Sequence, residues 1–190
     1  MSYVNLYLGD NFASVVSDTQ ITKSDGTVSE KEMKKFLVTD QKVLIATTGN
    51  ADVAKILFGF LEEHKGLHFS EVRMQVAAFL EQLQGVTDEE GGKISQKVIV
   101  AGFENGTCTA VAFIVDSYKA LQVIKYGPGD VIHLTPEDYS FDIAEYFNRL
   151  KTDKLSDLVA HQEKALLRVS RHSQQVNNKI NKEVMVDVQL

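Results

Sequence analysis

The chain has 190 residues, enough for one domain (1–190) with a sizeable core, and its 44% apolar and 24% charged residues are ordinary for a folded globular protein. The formal charge of −6 comes without any basic block and no apolar run approaches a membrane span, so neither nucleic acid nor membrane is an expected partner. The single Cys108 excludes an internal disulfide framework, and the N-terminus lacks the charged and apolar regions of a secretory signal; both point to a cytoplasmic protein.

Val4, Leu6 and Leu8 alternate with Tyr3, Asn5 and Tyr7, which predicts a strand with one face buried. Gly9-Asp10-Asn11 turns the chain into a return strand, Phe12 to Val16. Lys23 to Gly26 marks another turn. Lys35 to Val38 and Lys42 to Ala46 form a second hairpin around Asp40-Gln41. Ala51 to His64 carries Val53, Ile56, Leu57, Phe60 and Leu61 at helical spacing behind Asn50 as N-cap. A second helix runs from a Ser70 cap to Gly85, followed by a polar loop that contains Asp88-Glu89-Glu90.

Strands then return. Lys97 to Phe103 and Thr107 to Val115 flank Glu104-Asn105-Gly106, a strong hairpin signal, and Cys108 falls on the second of them as a small core residue. Leu121 to Tyr126 follows, and Gly127-Pro128-Gly129-Asp130 breaks it. Phe141 to Leu150 and Leu155 to Gln175 read as helices, and Val184, Val186 and Val188 as a last strand. Antiparallel hairpins alternating with blocks of helices define an α+β fold, not a doubly wound parallel sheet. Two stacked antiparallel sheets with a helix pair outside each, a four-layer α-β-β-α sandwich, would bury both faces of runs such as 43–46 and 110–115.

Ser2 carries the chemical interest. Once Met1 is removed, its hydroxyl and a free amine belong to one residue. A terminal amine with a pKa of about 7.7–8.0 is partly neutral near pH 7 and can take the hydroxyl proton, directly or through one water. The histidines, His64, His68, His133, His161 and His172, show no metal-ligand spacing and no Gly-rich phosphate loop is present, so neither metal nor cofactor is expected.

Asp18 follows Ser2 by sixteen positions within Ser17-Asp18-Thr19-Gln20-Ile21-Thr22; Lys34-Lys35 precede Phe36-Leu37-Val38; and Ile45-Ala46-Thr47-Thr48-Gly49 ends a strand before Asn50-Ala51-Asp52. This pattern resembles proteasome β-type subunits, especially the bacterial proteasome-like ring peptidase that partners an ATP-driven unfoldase. The resemblance is detailed over the first third of the chain and is one of element order over the second. It implies the N-terminal-nucleophile hydrolase fold, cleavage of a peptide or small amide, a homo-oligomer that can close into a ring, and an unfoldase partner. Ser2 would be nucleophile. Lys35, or Lys34 if no residue is inserted in the turn at 24–26, would hold the amine neutral, with Asp18 holding the ammonium. A backbone N–H within 46–49 would be the oxyanion donor, while Thr22, Thr47 and Gly49 would meet an extended substrate by strand addition. In the last third the chain departs from the pattern. Where that family has a supporting Ser before its third helix, the chain has Tyr126-Gly127-Pro128-Gly129-Asp130; where it has an Asp and a Ser after its fourth, the chain has Ser170-Arg171-His172-Ser173. These departures favour a second reading, a non-catalytic relative kept as an assembly or binding module.

Overall fold

In the computed structural model the described residues are 2–22, 27–87, 91–92, 94–116, 119–136, 138–139, 143–148 and 154–187. The expected turn at Lys23–Gly26, the acidic Asp88-Glu89-Glu90, the helix limits Phe141 and Leu150, and Val188 lie outside them.

The N-terminal strands are β1 (Val4–Leu8), β2 (Phe12–Ser17), β3 (Gln20–Thr22), β4 (Val28–Glu32), β5 (Phe36–Val38) and β6 (Leu44–Gly49). Helices α1 (Ala51–Glu63) and α2 (Phe69–Glu81) follow, then β7 (Ser95–Glu104), β8 (Thr107–Asp116), β9 (Lys119–Tyr126) and β10 (Val131–Leu134). The chain closes with α3 (Ile143–Asn148), α4 (Leu155–Ser170) and β11 (Asn181–Val186). Strand order is β10-β1-β2-β11 in one sheet and β5-β6-β7-β8-β9 in the other, with β3-β4 a separate hairpin.

Three apolar clusters separate four layers. Val4, Leu6 and Leu8 of β1 meet Leu44, Ala46, Ile99 and Ala101 between the sheets. On the other face of the five-stranded sheet, Val43, Ile45, Val98 and Val100 pack on Leu57 and Leu61 of α1 and Val72 and Val76 of α2. Tyr3 and Val16 pack on Ala165, Leu166 and Val169 of α4 and Phe147 of α3. Each Val, Leu, Ile or Phe among them contributes about 1.5–3 kcal/mol on burial. The expected α-β-β-α sandwich is therefore the architecture. Cys108 sits in the inter-sheet core, where burial pushes its thiol up to about 12.

The local signals act as expected at the turns. Asn105 and Gly106 take φ of 53° and 76°, the left-handed pair that a two-residue hairpin loop needs. Asn50 caps α1 by accepting the amides of Asp52 and Val53.

Four expectations change. β1 is buried on both faces, because its polar alternates lie under α4: Gln162 Nε2 donates to Asn5 Oδ1 at 2.7 Å and to Ser14 O at 3.0 Å. Ser14 Oγ donates back to Gln162 Oε1 at 2.5 Å. β3, β4 and β10 are additional; Val28–Glu32 has no apolar face to read, and its strand form comes from pairing, Gln20 opposite Glu32. The second helix starts at Phe69, because His68 rather than Ser70 caps it, its N–H donating to Glu71 Oε2 at 2.8 Å. α4 ends at Ser170, where the chain turns so that Ser173 Oγ accepts from Gln175 N at 3.1 Å.

Candidate functional site

Asp18 lies just past the end of β2, where the ladder with β1 continues by one residue. Its N–H donates to Tyr3 O at 3.2 Å, and its fully buried carboxylate accepts Tyr3 N–H at 2.8 Å and Gln20 N–H at 2.9 Å. Residue 2 is thereby held one position beyond a doubly bonded contact. Burial pushes the Asp18 carboxyl up to about 6, against the opposing pull of the Lys35 charge and the two N–H donors.

Lys35 is also buried, and its ammonium donates to Gln20 O at 2.6 Å. Burial lowers its pKa, and the Asp18 charge opposes that shift. Gln20 thus connects the pair, giving its N–H to Asp18 and its carbonyl to Lys35. Lys34 points elsewhere: its ammonium lies 3.3 Å from Glu183 and over the ring of Phe36, half exposed. Of the two sequence candidates, Lys35 is the one brought to Asp18.

An open cleft of about 320 Å³ has Ser2, Thr22, Lys35, Thr47 and Gly49 in its lining. Asp18 supports it from beneath. All six residues singled out in the sequence are therefore brought to one place, although they come from both sheets and the β3–β4 hairpin.

The far wall is the end of β6. Thr47 N–H donates to Lys35 O at 2.8 Å, the last rung towards β5. Amides two residues apart on a strand point to the same side. By that alternation the Gly49 N–H is on the same side, past the Thr47 rung, where Gly49 and Met33 both line the cleft. Gly49 has φ +127°, and a Cβ there would lie 2.2 Å from Ser95 O, so the position requires glycine. The Thr47 hydroxyl donates to Lys97 O at 3.0 Å and accepts from Gln96 Nε2 at 2.5 Å.

Sequence reasoning missed Gln96, which the structure places at full burial one residue before the expected start of β7. A polar side chain heading an otherwise apolar strand was the available signal. The remaining lining comes from Thr48 and the apolar or small Ile21, Met33, Ala51 and Ala54, which no spacing rule joins.

The last third is rearranged relative to the pattern read from the sequence. Gly127–Asp130 binds the opposite end of β1 from Ser2: Leu8 N–H donates to Asp130 O at 3.0 Å and Gly129 N–H to Leu8 O at 2.7 Å. β10 ends at Leu134, opposite Val4 and so at the Ser2 end of β1, and Asp138 beyond it accepts from Ser173 Oγ at 2.7 Å. Residues 174–177 brace the Asp18 segment, through Gln20 Nε2 on Gln174 O at 2.7 Å and Asn177 Nδ2 on Thr19 Oγ1 at 2.9 Å.

Stacked sheets between helix pairs, with residue 2 at the mouth of a cleft, define the proteasome-like form of the N-terminal-nucleophile hydrolase fold. Among solved structures the chain is similar to Anbu (ancestral beta-subunit) from Yersinia bercovieri, at 11% identity and TM-score 0.70, covering 98% of this chain and 82% of that one. Anbu from Hyphomicrobium sp. strain MC1 matches at 11% identity and TM-score 0.70 over 99% and 85%. An Anbu (Gly-1) mutant from the same strain matches at 13% and 0.69 over 100% and 85%. The chain matches no protein-family profile, and it matches no curated protein sequence. The family resemblance drawn from the sequence, to proteasome β-type subunits and the bacterial ring peptidase, is thereby corrected: the similar structures are Anbu proteins, and at 11–13% identity the likeness is one of fold. The physical reason is that the residues which carried the resemblance act locally, Asp18 on Tyr3 and Gln20, Lys35 on Gln20 and Gly49 beside Ser95, and such local roles do not single out a family. The unfoldase partner loses the resemblance on which it rested.

Proposed function

We propose that the chain is an N-terminal-nucleophile amide hydrolase that cleaves peptides, acting as a single proteasome-like domain over residues 1–190. The observation that carries this reading is the convergence of Ser2, Lys35 and Asp18 at one cleft with the Gly49 amide on its far wall. Ser2 Oγ attacks the carbonyl carbon after Met1 is removed, and the freed amine accepts its proton. The Lys35 charge favours the neutral amine. Charge that develops on the carbonyl oxygen falls to the Gly49 N–H. The amine returns its proton to the leaving nitrogen, and water then releases the acyl group from Ser2.

Thr22 and Gly49, on opposite walls, suit an extended chain added as a strand. Ile21, Met33, Ala51 and Ala54 bring no charge to the cleft, which suits a small or medium uncharged side chain beside the cleaved bond. Exposed Ile56 and Met74 on the outer helices, with Val123 and Ile124 on β9, support self-association. Light scattering of the purified chain reads that directly; a strictly monomeric species counts against it.

Intact mass followed by labelling with a peptide carrying a C-terminal electrophile tests the chemistry. Loss of Met1 and one label per chain on Ser2 are the expected results. A folded protein that retains Met1, or that stays unlabelled with Ser2 free, would establish the second reading, a binding or assembly module, for which the departures at 126–130 and 170–173 speak.

A further inference from the structure

Gln96 has no place in the chemistry above, yet its fully buried side chain touches the far wall of the cleft on both sides of Gly49. Its Nε2 donates to Thr47 Oγ1 at 2.5 Å, two residues before Gly49. Its Oε1 accepts Asn50 N–H at 2.9 Å, one residue after. It is also the cross-strand partner of Gly49, and a Cβ on Gly49 would stand only 2.6 Å from its Oε1. The amide lies directly beneath the glycine with each hydrogen-bonding end committed to one flank.

The two contacts matter because regular pairing holds this backbone on one side only, where the β7 ladder runs to Gly49 opposite Gln96. β6 ends at Gly49, its φ of +127° has left the strand region, and α1 begins at Ala51. The β5 ladder has stopped at the Thr47 rung. A peptide at a strand end, paired on one side, opens more readily than one inside a sheet unless side chains fix it. An aliphatic residue at 96 would fill the space but leave the Asn50 N–H and the Thr47 hydroxyl without this partner.

We infer that Gln96 is a positioning residue which clamps the Thr47–Asn50 backbone so that the Gly49 N–H is aimed into the cleft as an oxyanion donor. The inference rests on the hydrolase reading for its catalytic consequence, though not for the clamp itself. Misplacing a transition-state donor lowers the rate of the covalent step and leaves ground-state binding nearly unchanged.

Two measurements on the full chain test it, with Gln96→Met and Gln96→Glu compared against the unsubstituted protein. Gln96→Glu keeps an acceptor for the Asn50 N–H and offers one to the Thr47 hydroxyl. The first measurement is amide hydrogen exchange. In Gln96→Met, protection at Asn50 should fall by about a hundredfold while Ile99, in the middle of β7, keeps its protection; in Gln96→Glu the Asn50 amide should stay protected. Unchanged protection at Asn50 in Gln96→Met overturns the clamp, whether or not the protein is an enzyme. The second is labelling by the electrophilic peptide, separated into its maximal rate and its half-saturating concentration. Gln96→Met should lose about a hundredfold in maximal rate with less than a threefold change in half-saturation. A loss confined to half-saturation, or a rate equal to the parent's, overturns the positioning role. Absence of labelling in the parent sinks the hydrolase reading alone, and the exchange experiment still decides the clamp.

Discussion

The two walls of the cleft are held by different physics. On the β1–β3 wall, a buried carboxylate and a buried ammonium share the backbone of Gln20, and the arrangement depends on charge. On the β6–α1 wall, a neutral amide joins a hydroxyl to a backbone N–H beneath a glycine that no other residue could replace. The difference teaches that one site can divide its tasks: the wall that would move protons titrates, and the wall that would receive developing charge stays neutral and rigid. pH should therefore disturb the first wall and leave the second alone.

Ser2→Ala should have the largest effect, abolishing labelling while the fold, read by circular dichroism, persists. Labelling that survives would remove the nucleophile from both walls. Next, Lys35→Met should lower labelling by about a thousandfold, and it should also expose the charge dependence of its wall. Removing the Lys35 charge takes a favourable influence from the ionised Asp18 carboxylate, so it costs stability wherever Asp18 is ionised. The sign follows from Asp18, whose folded-state carboxyl at about 6 lies above its ordinary 3.8. Such a group contributes stability that is full below about 3.8 and is lost as pH rises through about 6. Without Lys35 the folded carboxyl rises further, so the stability deficit of Lys35→Met should be greatest at pH 8 and close towards pH 4. Denaturant melts at both values measure it, and a pH-independent deficit would break the comparison.

Gly49→Ala addresses the other wall. A forced shift of about 1 Å there should cost about a hundredfold in labelling and about 1–3 kcal/mol in stability, with the stability loss equal at pH 5 and pH 8. A pH-dependent loss would mean that the two walls are not independent. Lys34→Ala should have the smallest effect, within about 0.5 kcal/mol and without change in labelling, because its ion pair with Glu183 is half exposed.

Much of the fold was legible because its signals are local. Asn105-Gly106 demanded a hairpin loop, Asn50 announced α1, and doubly apolar runs required layers on both sides. Asn5 misled because it alternates with apolar residues as a solvent-facing residue would; its partner Gln162 lies on α4, 157 positions away. β4 escaped notice because its charged residues pair as a strand without a buried face. At the site, Asp18 and the Lys34-Lys35 pair were named through the family resemblance, with an inserted residue in the turn at 24–26 favouring Lys35; that Lys34 instead reaches Glu183 is a tertiary contact.

The sequence by itself determined the layered α+β sandwich and the hairpins, since periodicity and turn chemistry act within a few residues; the residues proposed around Ser2 came from a family resemblance. Only the tertiary structure decided that Lys35 comes beside Asp18 through Gln20, that Gly127–Asp130 lies at the far end of β1, that residues 174–177 brace the Asp18 segment, and that Gln96 sits under Gly49. These are contacts between strands and loops far apart in the chain. Their distances are set by how the layers pack, and no local pattern carries that information.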